Sequence, residues 1–283
     1  MTTVESATAS ASGAAATDRF QADKSPFAAV KDVPKDRVDT LAREVLSAVH
    51  AIIRKHQVTY DEYNALKAWL IQVGADGEWP LFLDVFVEHA VEEVATAHRK
   101  GNKGTIEGPY YVPGAPERGA EGSTLEREES GTPLVWEGVI RSTDGTPLAG
   151  GKVDVWQDDD AGFYSQFSEG QPEWNLRGVF TVGDDGKFRI HTIKPQPYQI
   201  PHDGATGALI EAAGWHAWRP AHIHVKVSAP GHELLTAQLY FPGDDHNDDD
   251  IAQAVKPELM LAPQEQPDGS ILVRYDITLD PAS

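Results

Sequence analysis

The chain has 283 residues, of which 40% are hydrophobic and 24% are charged, and it carries a formal net charge of −20 at pH 7. This length and composition are those of a globular protein with ample material for a core, and the charge argues against nucleic-acid binding because phosphates would be repelled. The absence of cysteine excludes disulfides, thiolate metal sites and a cysteine nucleophile.

The first 35 residues are predicted to form a disordered tail. Most of them are small or polar, so the segment is too poor in large apolar side chains to build a core. It lacks the basic start and apolar centre of a signal peptide, and no apolar run in the chain approaches the ~20 residues of a membrane span. We therefore expect a cytoplasmic protein with no membrane insertion.

Residues 36–103 are predicted to form a helical domain. Apolar side chains recur at helical spacing over residues 36–57, and Thr59 followed by Glu62 is a capping box that begins a second helix. A third helix is expected over residues 79–98. The apolar faces of these helices either form a core or meet a second copy of the chain, and the sequence leaves both open.

Residues 104–283 are predicted to form a β-sandwich. Short runs of β-favouring residues alternate with turns, and Gly183–Gly186 has the composition of a hairpin turn. The fold class is therefore mixed α and β, with an N-terminal helical dimerisation or linker domain before the sandwich. The predicted strands are residues 134–140, 152–157, 178–182, 187–193, 222–227, 235–241 and 270–279.

Two acidic loops are interpreted as solvated. They are Asp158–Asp160 and a cluster formed by Asp244, Asp245, Asp248, Asp249 and Asp250. Neither has the spaced ligands and central glycine of an EF-hand loop, which argues against a calcium site.

His222 and His224 are the first candidates for a functional site. They lie two residues apart in the predicted strand 222–227, so both side chains point to one face of the sheet. Two adjacent neutral imidazoles are half of a metal site. The alternative is a strand with two surface histidines.

Tyr164 and Tyr198 are candidates for the other half of that site. Tyr164 follows a predicted strand, and Tyr198 lies in a segment stiffened by three prolines. A phenol ligates at neutral pH only if the metal removes its proton, and ferric iron suits a phenolate oxygen better than zinc does. The alternative is a pair of half-buried tyrosines with hydrogen-bonded hydroxyl groups.

Four stretches of the chain together resemble the intradiol ring-cleavage dioxygenases. The helical N-terminal third makes the chain most similar to the catechol 1,2-dioxygenase branch, and the resemblance runs from about residue 36 to residue 282. The stretches are GTIEGPYYVPGAP (104–116), DVWQDDDAGFYSQF (154–167), LRGVFTVGDDGKFRIHTIKPQPYQIPHDG (176–204) and RPAHIHVKVSAPG (219–231).

The resemblance implies a non-haem Fe(III) centre with one ion per subunit. The residues that match its ligands are Tyr164, Tyr198, His222 and His224. Tyr198 matches the tyrosinate that leaves the iron when substrate binds and accepts its proton. Arg219 matches the arginine beside the substrate ring, and Gln238 matches a polar residue near the iron. These last three residues are the expected catalytic groups.

The resemblance also implies a substrate pocket, an activity and partners. The pocket residues are Leu81, Asp84, Val85, Ile106, Gly108, Pro109 and Tyr110, with Arg219 beside them. The implied reaction opens unsubstituted catechol with O2 to cis,cis-muconate, in aromatic-compound degradation by the β-ketoadipate pathway. A homodimer through the N-terminal helices, with a bound phospholipid, is expected.

Other functions remain open at this point. Chlorocatechol and hydroxyquinol 1,2-dioxygenases share the helices and the four ligands, so they are the alternatives within the family. From other classes, the alternatives are a non-catalytic β-sandwich binding module with structural Tyr and His residues, and a zinc hydrolase that uses His222, His224 and a carboxylate.

Overall fold

A computed structural model of the chain describes residues 33–282. Apart from its last three residues, the predicted N-terminal tail lies outside this range. The chain divides into two compact units, Met1–Pro80 with Asp203–Thr206, and Leu81–His202 with Gly207–Ser283. Within residues 33–282, every helix is too short or too polar to cross a membrane.

The first unit contains helices α1 (Lys35–His56) and α2 (Tyr60–Ala75). The predicted capping box is present, because the Thr59 hydroxyl accepts a hydrogen bond from the Glu62 N–H while the Glu62 carboxylate accepts one from the Thr59 N–H. Every residue of α1 is at least partly accessible. A row of large apolar side chains on α1 is exposed: Val38, Leu41, Val45, Leu46, Val49, Ile52 and Ile53.

The prediction of a single helix over residues 79–98 was wrong, because this segment forms two helices. Helix α3 (Trp79–Phe86) ends before Val87, whose φ of −128° is not helical, and α4 (Glu88–Thr96) begins after it. The Glu88 carboxylate at the start of α4 accepts a hydrogen bond from the Glu107 N–H at 2.9 Å. The apolar period of 3.6 residues runs through the break and therefore gave no sign of it.

The second unit is built on two β-sheets that share one core. A six-stranded sheet has the order β1-β5-β2-β11-β10 with β12 also paired to β2, and a four-stranded sheet has the order β4-β3-β8-β9. The strands are β1 (Glu121–Ser123), β2 (Pro133–Ser142), β3 (Lys152–Trp156), β4 (Arg177–Thr181), β5 (Lys187–Ile193), β6 (Tyr198–Gln199), β7 (Trp218–Arg219), β8 (His222–Ser228), β9 (Leu235–Tyr240), β10 (Gln264–Glu265), β11 (Ile271–Arg274) and β12 (Ile277–Leu279).

The turn at Gly183–Gly186 connects the two sheets instead of closing a hairpin. The Gly186 N–H donates to the Gly183 carbonyl, as the sequence predicts for a turn, but β4 pairs with β3 while β5 pairs with β1 and β2. Gly186 has a φ of +68°, and a Cβ there would lie 2.7 Å from the Ile140 carbonyl oxygen. Only glycine fits this crossing from one sheet to the other without strain.

Two further elements differ from the prediction. The single strand over residues 270–279 is β11 and β12, because Tyr275 and Asp276 leave the strand path and bond to β2 at Glu137 and Val139. Helix α5 (Ala205–Ala213), which was not predicted from the sequence, follows the proline-rich segment.

Strand β8 separates the sandwich core from the face that carries the candidate site. Ile223, Val225 and Val227 lie in the core between the sheets. His222 and His224 point to the opposite face, as alternation along a strand requires. His224 is paired in register with Gln238 of β9, so three of the predicted site residues share one patch of sheet.

Candidate metal centre

The side chains of His222 and His224 converge on one point. Their Nε2 atoms lie 3.0 Å apart, and the His224 Nε2 lies 3.1 Å from the Tyr164 hydroxyl oxygen. The His222 Nδ1 lies 2.7 Å from the Pro220 carbonyl, which must accept its proton, so the His222 Nε2 carries a lone pair. Three potential ligand atoms therefore face one another in a buried space.

Tyr198 completes the group of four predicted ligands. Its ring lies 5.5 Å from the Tyr164 ring and 5.7 Å from the His222 ring. It is carried by β6, which pairs antiparallel with β7 so that Tyr198 is directly opposite Arg219. All four ligand candidates are buried.

A buried arginine holds the Tyr164 loop in place. Arg177 on β4 donates from Nε to the Ser165 hydroxyl at 2.9 Å and from Nη2 to the Ser165 carbonyl at 3.1 Å. Its Nη1 donates to the Tyr110 carbonyl at 2.9 Å. Tyr110 in turn stacks on Tyr164 with ring centroids 4.3 Å apart. Arg177 was not identified from the sequence.

The electrostatics of these four residues fit a highly charged cation. Burial lowers the pKa of His222 to about 3 and that of His224 well below its ordinary range, so both imidazoles are neutral and able to bind a metal ion. Burial also raises the pKa of Tyr164 and Tyr198, so neither phenol ionises at neutral pH without a cation. Two oxygens that ionise only on a strong Lewis acid, with two neutral nitrogens, suit ferric iron.

His224 is oriented by stacking. Its Nδ1 finds no hydrogen-bond partner in the part of the chain that the structure describes, although a metal-ligating histidine usually donates from its second nitrogen. Instead, the indole of Trp156 lies parallel to the imidazole, with centroids 4.7 Å apart and an angle of 13°. A Cβ on Gly108 would lie 3.6 Å from the His224 Cε1, so the backbone there also comes close to the imidazole.

Arg219 is fixed by a buried ion pair with Asp250. Its Nε and Nη2 donate to the two Asp250 carboxylate oxygens, each at 2.9 Å, and both side chains are almost fully buried. Burial alone would raise the pKa of Asp250, but the Arg219 charge and the hydrogen bonds from Arg219, Ala252 and Ala254 together hold this pKa below its ordinary value. The guanidinium is therefore charged and held in one geometry.

Gln238 is fixed from three sides. Its Oε1 accepts hydrogen bonds from the Arg219 Nη2 at 2.9 Å and from the Tyr240 hydroxyl at 2.7 Å. Its Nε2 donates to the Ile106 carbonyl at 3.0 Å. Gln238 thus links the arginine to the segment that contains the predicted pocket residues.

The predicted pocket residues divide into two groups. Asp84 and Pro109 are half-buried, and Gly108 is buried against His224. The other four belong to a buried apolar cluster that also contains Tyr164, Tyr198, Ala252 and Ala254: they are Leu81, Val85, Ile106 and Tyr110. Their proximity to the tyrosines is what a pocket for an aromatic ring requires, and their roles stay predictions.

The interpretation of both acidic loops as solvated was wrong for three buried residues, Asp158, Asp159 and Asp250. Asp250 is the buried partner of Arg219, and Asp244 accepts hydrogen bonds from the Ala221 and His246 N–H groups. Asp158 is buried. Burial raises its pKa well above the ordinary value, which favours the neutral acid. A run of aspartates does not reveal which member is buried.

Two family models match most of the chain. The model described as "Dioxygenase" matches residues 106–281, and the one described as "Catechol dioxygenase N terminus" matches residues 35–103.

Individual relatives and solved structures agree with these matches. The chlorocatechol 1,2-dioxygenase of Rhodococcus opacus is 40% identical over 229 residues, 80% of this chain and 89% of that protein. The catechol 1,2-dioxygenase of Acinetobacter baylyi is 35% identical, over 85% of this chain and 81% of that protein. The crystal structure of 3-chlorocatechol 1,2-dioxygenase from Rhodococcus opacus 1CP superposes with a TM-score of 0.83 at 42% identity, covering 88% of this chain and all of that one.

Proposed function

This chain belongs to the intradiol ring-cleavage dioxygenases, and we propose that it is a chlorocatechol 1,2-dioxygenase. Enzymes of this family are oxidoreductases that incorporate both atoms of O2 and open a catechol ring between its two hydroxyl-bearing carbons. The observation that carries the ring-cleavage function is the convergence of the His222 and His224 Nε2 atoms with the Tyr164 hydroxyl, at 3.0 and 3.1 Å.

The proposed substrate replaces the expectation of unsubstituted catechol. Identity is higher with the chlorocatechol enzyme, at 40%, than with the catechol enzyme, at 35%. Ala252 and Ala254 in the apolar cluster support the change, because small side chains leave room for a ring substituent. Differences of this size in a pocket are worth ~1–3 kcal/mol, which is enough to set a preference.

We propose one non-haem Fe(III) per chain, held by Tyr164, Tyr198, His222 and His224. When bound, this ion would supply Lewis acidity that lowers the pKa of a catechol and makes the substrate reactive towards O2. The two tyrosinates would offset two of its three positive charges. The His216, His246 and Asp249 group, described below, shares no residue with this set and lacks the phenols that favour the ferric state.

The protein contributes binding, orientation and proton transfer. The Tyr198 phenolate oxygen accepts a proton from a substrate hydroxyl as the substrate binds, so it acts as a general base. Arg219, held by Asp250 and opposite Tyr198 in the β6–β7 pair, stabilises negative charge that develops on the ring. The apolar cluster excludes water from the ring, which strengthens both effects.

A spectroscopic and kinetic experiment tests this function. Iron-loaded protein is expected to show a tyrosinate-to-iron absorption band that moves to longer wavelength when 3-chlorocatechol is added without O2. With O2, kcat/KM for 3-chlorocatechol should exceed that for catechol about 10-fold or more, and hydroxyquinol should rank below both. A preference for catechol would overturn the proposed substrate. A protein that stays colourless with iron would overturn the proposed ring-cleavage function.

We also propose that residues 36–103 form a dimerisation domain. The exposed apolar row on α1 supports this, since a large apolar patch on a water-soluble protein is typical of an interaction surface. A phospholipid bound among these helices is part of the proposal. Sedimentation is expected to give a particle of twice the chain mass, and Val45→Asp with Val49→Asp is expected to give the monomer. Arg37→Asp with Glu44→Asp, at two polar positions of the same helix, is the control. A wild-type monomer would contradict the proposal.

A further inference from the structure

A second group of potential metal ligands lies outside the catalytic centre. His216, His246 and Asp249 each place a ligand atom within 4.8 Å of the other two, and within residues 33–282 this is the one such group of His, Asp or Glu side chains. His216 precedes β7, whereas His246 and Asp249 lie in the loop that follows β9. The group therefore connects two chain segments about thirty residues apart.

The carboxylate of Asp249 bridges the two imidazoles. Its Oδ2 lies 3.2 Å from the His216 Nε2, and its Oδ1 lies 3.1 Å from the His246 Nδ1. The imidazole of His246 also stacks on the indole of Trp218, with centroids 5.2 Å apart and planes within 5°. One ring is therefore fixed by stacking, and all three side chains already point to a common centre.

We propose that His216, His246 and Asp249 form a binding site for a divalent transition-metal ion such as Zn2+. Imidazole nitrogen with one carboxylate is a donor set that Zn2+ prefers, and three protein ligands leave at least one position for water. The neighbouring Asp244, Asp245 and Asp248 add negative charge that attracts a cation. A cleft of about 700 Å³, lined by His216 and Asp249 among others, gives the ion and its waters access.

One contact is expected to make zinc binding at this site weaker than at a closed structural zinc site. The His216 Nδ1 accepts a hydrogen bond from the Trp218 N–H at 3.1 Å, so the proton of the neutral ring is on Nε2. Ligation through Nε2 would move that proton to Nδ1 and break the bond to Trp218. Mg2+ and Ca2+ are expected to bind far more weakly still, because two of the three donors are nitrogen atoms.

A metal ion here would join the two segments that support the catalytic arginine. His216 is three residues before Arg219, and Asp249 immediately precedes Asp250, the partner of Arg219. The backbones of these segments also meet where the Ile251 N–H donates to the Trp218 carbonyl. The proposed site is therefore a place where metal binding would act on the Arg219–Asp250 pair from outside the pocket.

Equilibrium dialysis of iron-loaded protein against Zn2+, with zinc and iron counted per chain by mass spectrometry, tests the proposal. Wild type is expected to bind one more zinc per chain than His216→Gln or His246→Gln, with iron unchanged in all three. Excess Mg2+ should not displace this zinc. His191→Gln is the matched control, because His191 pairs with one carboxylate, Glu121 at 3.5 Å, and is not in the three-residue group.

Two results would overturn the proposal. One is equal zinc uptake by wild type and both His→Gln variants, which would place the zinc elsewhere. The other is zinc uptake matched by an equal loss of iron, which would mean displacement from the catalytic centre. Because iron and zinc are counted in the same samples, failure of the catalytic iron centre is recorded separately from failure of the second site.

Discussion

Replacing Tyr198 with Phe is expected to lower kcat about 10²–10⁴-fold, the range that a positioned general base contributes. Phenylalanine keeps the ring within the buried apolar cluster but has no oxygen to bind a metal or accept a substrate proton. Because Tyr164, His222 and His224 remain, the variant should retain part of its iron. Steady-state kinetics with chlorocatechol, together with iron content per chain, measure both effects.

Two further variants make the Tyr198 result specific. Tyr60→Phe removes the hydroxyl of an exposed tyrosine on α2 and should leave kcat unchanged. His224→Ala removes a ligand whose Nε2 lies 3.0 Å from that of His222, and it should lose iron and activity together. Full turnover by Tyr198→Phe would remove this residue from the mechanism, whatever the iron content.

Replacing Asp250 with Ala is expected to lower the free energy of unfolding by about 3–5 kcal/mol, since it leaves the Arg219 charge buried without its partner. The effect is expected to be this large because both side chains are buried and the two nitrogen–oxygen distances are 2.9 Å. Urea denaturation of the iron-free protein measures the loss. Activity should also fall, because Arg219 loses the contact that orients it.

An exposed aspartate two residues away and a double variant serve as controls. Asp248→Ala changes an exposed aspartate in the same loop and is expected to shift stability by no more than about 0.5 kcal/mol. Arg219→Met combined with Asp250→Leu removes both charges, so it should recover much of the stability lost in Asp250→Ala without recovering activity. An Asp250→Ala protein as stable as wild type would contradict the buried ion pair.

The parts of the site that follow from local spacing could be predicted from the sequence. The two-residue spacing of His222 and His224 in a strand fixed their common face, and alternation placed Ile223 in the core. The capping box at Thr59 is equally local and is present. The order of the four motifs indicated the family, which the matches over residues 35–103 and 106–281 support.

The parts that depend on tertiary contacts could not be predicted. Asp250 lies in a run of aspartates, and its burial depends on Arg219, which is thirty-one residues away in sequence. The break at Val87 goes with a hydrogen bond from Glu107 to Glu88, and apolar periodicity does not record such bonds. The prediction of a hairpin at Gly183–Gly186 was wrong because the sequence of a turn does not indicate whether the next strand stays in the same sheet.

The pairing of β6 with β7 limits which motions the reaction uses. Tyr198 and Arg219 are opposite each other in this two-residue ladder, and Arg219 is also tied to Asp250 and Gln238. The backbone around Tyr198 is further stiffened by Pro195, Pro197 and Pro201. If Tyr198 leaves a bound iron, as proposed, the movement would be a change of rotamer about its two side-chain torsions, with the main chain held in place. Such a step would need no loop to open and close on the microsecond-to-millisecond scale, so conformational gating would not limit it.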